Sequence, residues 1–121
     1  MALQLSTAIR NARLDIIEAT TGAAPILEMR TGAPPANCAA ADSGTLLASC
    51  LLPTDWMAAA SAGTKAKAGT WEDTAANAAG TAGHFRIKDN AGSVCHMQGT
   101  VTATGGGGDM TLDNAVFAVS Q

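Results

Sequence analysis

The segment from His84 to Gly99, HFRIKDNAGSVCHMQG, restricts the possible folds more than any other. Apolar and polar residues alternate on both sides of a single turn signal. Asn90-Ala91-Gly92 suits a type I turn closed by a glycine in a left-handed bulge position. With Asp89 opposite Ser93, Phe85 faces Met97 and Ile87 faces Cys95 on an apolar side. The other side then carries His84 opposite Gln98, Arg86 opposite His96 and Lys88 opposite Val94. A hairpin patterned this way is half-buried, and a protein built around it is mainly β.

The same register decides what chemistry is open to the chain. It separates Cys95 from His84 and His96 by the thickness of a sheet, and Arg86 opposite His96 opposes a divalent cation. The histidines read as solvated or interface residues, and Cys95 as a neutral, inert thiol. Ser43 and Ser61 lack the strand–turn–helix setting of a nucleophile elbow. Glu72 and Asp73 are adjacent, so on an extended chain they point to opposite sides and do not converge for acid–base work. TATGGGGDM lacks the Lys-Ser/Thr ending of a phosphate loop and precedes no helix. Its four glycines make a flexible connection or a close approach to a neighbouring chain. These residues predict no catalytic, cofactor-binding or metal-binding site, and a chain that is not an enzyme.

Elsewhere the signals are shorter. Ser6 is a good N-cap, Ile9, Ala12, Ile16 and Ile17 recur at helical spacing, and Gly22 suits a C-terminal cap. The resulting helix, about 6–21, has one narrow apolar stripe, which packs on a sheet or on a neighbouring subunit. Strands are predicted at Ile26–Arg30 and Thr45–Leu52, with the loop bearing Pro34 and Pro35 between them. From Trp56 to Ala79 the pattern allows a weak helix or two strands around a lysine-bearing loop. There Trp56 and Trp71 pack on each other or plug the core. Successive antiparallel strands follow at Thr81–Lys88, Ser93–Thr104, Asp109–Leu112 and Ala115–Ser120. The fold class expected is mainly β, an antiparallel β-sandwich of which a jelly roll is one form, with one N-terminal α-helix in a single domain, 1–121.

Composition narrows the partners. The hydrophobic fraction of 47% is largely alanine, and two Trp, two Phe and no Tyr leave little large apolar area to bury. A core this weak favours assembly into a homo-oligomer. A net charge of −3 opposes nucleic-acid binding; Lys65 and Lys67 read as part of a flexible, solvated loop. The first twenty residues lack a signal peptide's basic start, and no apolar run reaches membrane-spanning length, so synthesis and folding in the cytoplasm are expected. Cys38, Cys50 and Cys95 are an odd set without CxxC spacing and default to free thiols; a Cys38–Cys50 bridge stays open for an oxidising setting.

Four stretches, in this order, carry a resemblance: PILEMRTGAPP, ADSGTLLASCLLP, GTAGHFRIKDNAGSVCHMQGTV and GGGGDMTLDN. Together they cover most of the chain, which resembles a family of small tailed-bacteriophage virion structural proteins. The resemblance implies a virion component and supplies no functional residues. It also implies a further alternating strand beyond the position of Gln121. The leading expectation is a capsid decoration or cementing protein that binds the major capsid protein lattice. Its anchors would be the N-terminal helix, Trp56, Trp71 and the alanine-rich loops. The alternatives are a neck, tail or fibre-attachment protein and, from another class, a carbohydrate- or cell-surface-binding module with the tryptophans as platforms.

Overall fold

A computed structural model describes residues 2–119, and they form a mainly β protein with one N-terminal helix, the class expected. Helix α1 spans Thr7–Thr21; the Ser6 hydroxyl accepts from the Ile9 N–H, and Gly22, at φ +90°, closes it with its N–H on Glu18 O. Six strands follow: β1 Ile26–Thr31, β2 Leu46–Leu51, β3 Gly80–Lys88, β4 Cys95–Ala103, β5 Met110–Leu112 and β6 Val116–Phe117. Ser120, the expected end of the last strand, lies outside the described residues.

The strands join in the order β2-β1-β3-β4-β5, with β6 pairing β3. All pairings are antiparallel except β4 with β5, which is parallel and corrects the expectation for this segment. A parallel neighbour so close in sequence is possible because Gly105–Gly108 fold straight back along β4. A Cβ on Gly106 would lie 2.7 Å from Thr102 Cβ, and one on Gly108 2.9 Å from the Thr102 nitrogen. Gly106 and Gly108 therefore approach their own strand closely.

The sheet's first face holds the apolar core: Leu27, Met29, Cys50, Phe85 and Ile87, covered by Trp56. Trp56 is 1% exposed, stands 5.9 Å from the Trp71 ring, and donates its indole N–H to Gly22 O. Burying one large apolar side chain stabilises by about 1.5–3 kcal/mol, so this ring, Phe85 and the larger aliphatic side chains dominate a core whose small members are Ala48, Cys50 and Ala82. The second face is covered by coil, the connection from Gly32 to Thr45. The outer edge of β2 is already occupied by its own chain: Ser49 N–H donates to Asp73 and Leu47 O accepts from Asn77.

The 57–67 segment is a small two-stranded ladder, with bridges Met57–Lys67 and Ser61–Thr64 around a turn at Ala62 (φ +51°) and Gly63 (φ +76°). Lys65 is not part of a flexible, solvated loop. Its side chain is 3% exposed and reaches Asp15 at 2.7 Å and Glu18 at 2.9 Å on α1. Asn11 and Asp15 accept the Gly63 and Ala60 N–H groups, so the polar side of α1 is turned inward. Of the helix's apolar residues, Ile17 packs on the core, whereas Ile9 (49%) and Ile16 (59%) are exposed along with Ala12.

Candidate functional site

The His84–Gly99 hairpin forms, but in a different register. The pairs are Phe85–Gly99, Arg86–Gln98 and Ile87–Met97, then Lys88–Cys95 after a bulge. Two local slips produce it. The Asp89 carboxylate accepts from both the Ser93 and the Val94 N–H, so Asp89 N–H pairs with Val94 O and the turn is one residue wider than expected. His96 is then the extra residue of the bulge, which returns Met97 to the face of Ile87. Between the two slips Cys95 is transferred to the opposite face. Cys95, expected on the apolar side, therefore lies with Lys88 and Arg86.

That second face is buried at His84, contrary to the solvated or interface position expected for this histidine. His84 is 0% exposed, Arg86 2% and Lys88 7%, while His96 is exposed. The covering loop supplies their partners. Arg86 bonds Asp42 and donates to Cys38 O at 2.8 Å and Ala40 O at 3.1 Å. Lys88 reaches Asp42 at 2.6 Å and Glu28 at 3.0 Å. Arg30 joins the same two carboxylates at 3.2 and 3.0 Å. His84 Nδ1 bonds Gly32 O at 2.9 Å, and Gln98 donates to Pro35 O at 2.7 Å. Among the described residues, three buried side-chain atoms have no hydrogen-bond partner: His84 Nε2, Arg86 Nε and Gln98 Oε1.

Three cations thus share two carboxylates. Burial pushes the Asp42 carboxyl up, yet the hydrogen bonds from Lys88 and Arg86 outweigh it and hold the group below its ordinary range. Burial likewise opposes the charge on Lys88, but Asp42 and Glu28 raise it. This network fastens a proline- and alanine-rich loop that has little apolar area of its own to bury. Charged pairs of this kind specify an arrangement more than they stabilise it.

At one end of the network is a cavity of about 550 Å³ lined by Cys38, Asp42, Arg86, Lys88, Ser93 and Cys95. Cys50 lies on the other face, so the Cys38–Cys50 bridge left open above joins residues on opposite sides of the sheet; all three cysteines are free. Burial, then Asp73 and Glu72, push the Cys50 thiol to about 11. Those two acids do not form a pair: Asp73 caps the Ser49 and Ala75 N–H groups. Among the described residues, no three His, Cys, Asp or Glu side chains converge as a metal site, and no helix is long and apolar enough to cross a membrane.

The apolar face has its own groove of about 540 Å³ between the core and Trp71, Met110 and Phe117. Trp56, expected as an anchor, is 1% exposed and presents almost no surface of its own. The loop chemistry around Cys95 was invisible in the sequence because Cys38 and Cys95 are far apart along it. The capping capacity of Asp89 four residues before Ser93 was the one local signal. Comparison with known protein families, with characterised proteins and with solved structures finds no match to this chain.

Proposed function

We propose that the chain is a non-enzymatic structural subunit of a tailed-bacteriophage particle, a capsid decoration or cementing protein seated on the major capsid protein lattice. The observation that carries this reading is the orientation of α1. Its polar side is spent on the 57–67 ladder, and Ile9, Ala12 and Ile16 are left on the outside, continued by Leu3 at 89% exposure. A small domain that turns its apolar helix stripe outward has a surface suited to another protein. The occupied edge of β2 favours docking through the helix over strand addition. The resemblance of the four sequence stretches supplies the phage setting. As a sugar-binding module the chain is poorly equipped, since one of its two candidate aromatic platforms, Trp56, is buried.

The test is co-sedimentation of the purified chain with expanded empty capsids. Binding at hundreds of copies per particle supports decoration; six or twelve copies would move the protein to the neck or tail, and absence of binding would remove the decoration role.

A further inference from the structure

We propose that Cys38 and Cys95 are a redox pair, which a small-molecule disulfide converts into an intramolecular disulfide clasping the 32–45 loop to β4. This goes beyond a structural role and does not depend on it.

The geometry assembles a thiol pair from distant parts of the chain. Cys38 is in the covering loop and Cys95 at the start of β4; both line the 550 Å³ cavity, and both are partly exposed. The cavity reaches the surface through Ser93 and Val94, which are exposed. Arg86 stands between the two segments, donating to the Cys38 carbonyl and lining the cavity with Cys95. Burial, then the neighbouring Cys95, push the Cys38 thiol up. Around them Arg30, Arg86 and Lys88 outnumber Glu28 and Asp42, so the cluster carries one positive charge in excess. Cys95 follows directly on the exposed Ser93 and Val94 in the lining of this positive cavity, which selects it as the attacking sulfur and Cys38, whose thiol burial pushes up, as the resolving one.

The exchange is balanced throughout. Cys95 releases its proton, and the thiolate attacks one sulfur of the small disulfide; that S–S bond breaks, and one half leaves as a thiolate that takes up a proton. Cys38 then loses its proton and attacks the Cys95 sulfur of the mixed disulfide, and the second half leaves in the same way. Two electrons pass from the protein pair to the small disulfide, giving one protein disulfide and two small thiols.

Oxidised glutathione added to the full chain provides the test. Free thiols are expected to fall from three to one, with the mass lower by two hydrogens and no adduct. A non-reducing digest should link the Cys38 peptide to the Cys95 peptide. In Cys38→Ser the glutathionyl group should stay on Cys95, and in Cys95→Ser the remaining Cys38 should react about tenfold more slowly than Cys95. Three surviving thiols, a stable adduct on the unaltered chain, a bridge to Cys50 or a bridge between two chains would each overturn the proposal. Tryptophan emission, reporting on the opposite face, verifies that both variants are folded.

Discussion

Arg86 is the side chain on which the polar face turns. It is 2% exposed and bonds Asp42 together with two loop carbonyls, so its removal leaves the Cys38 and Ala40 carbonyls without this donor and Asp42 with only Lys88 and Arg30. Arg86→Met is expected to lower unfolding free energy by about 3 kcal/mol in urea titrations, the low end for breaking a buried pair because Asp42 is 32% exposed. Little or no change would mean that the loop is held by something other than these bonds. Cys50 makes a separate residue-scale prediction. With its thiol pushed up to about 11 by burial and then by Asp73 and Glu72, it should resist alkylation at pH 8 until the protein unfolds. Phe85, Ile87 and Met97 were legible in the sequence, because strand alternation alone sends them to one face. Cys95 was not: its side is decided by a carboxylate, Asp89, holding two backbone N–H groups, and hydrophobic patterning contains no record of that bond.

At the scale of elements, the connections matter as much as the strands. Gly44 brings the end of the covering loop against β1; at φ +68°, an added Cβ would lie 2.1 Å from Thr31 O. Gly44→Ala should therefore cost about 3 kcal/mol or more, combining backbone strain with displaced main chain. Gly105, at φ +91° with nothing within 4 Å, is the control: Gly105→Ala should cost about 1 kcal/mol, for conformation alone. Equal losses in thermal or urea unfolding would contradict the close approach at Gly44. Helix α1 offers the opposite experiment. Ile9 and Ile16 are exposed, so Ile9→Asp with Ile16→Asp should change stability by no more than about 0.5 kcal/mol per site. The same pair should abolish capsid co-sedimentation. The helix ends, Ser6 and Gly22, could be read from the sequence because capping is local. Which side of the helix faces inward could not, since Asn11, Asp15 and Glu18 turn toward a ladder some fifty residues away.

For the whole molecule, the ion pairs predict how stability follows pH. The carboxyls of Asp15, Asp42, Asp89 and Asp109 all lie below their ordinary 3.8. Their contribution is complete above that unfolded value and is lost as pH falls through the lower folded ones. The ammonium groups of Lys65 and Lys88 are raised above 10.5, so their contribution is complete below that value and is lost as pH rises through the folded ones. Denaturant midpoints should therefore be flat between about pH 5 and 9 and should fall on both sides. A midpoint that rises on acidification below pH 4 would sink the ion network as a source of stability. What this chain's sequence determined by itself was whatever depends on near neighbours: the strands, the turn at Asp89–Gly92, the helix caps and the mainly β class. The buried charges of the second face and the outward stripe of α1 were decided only by the tertiary structure. Each depends on which distant segment covers a surface, and alternation along a strand can define two faces without saying what will cover either one.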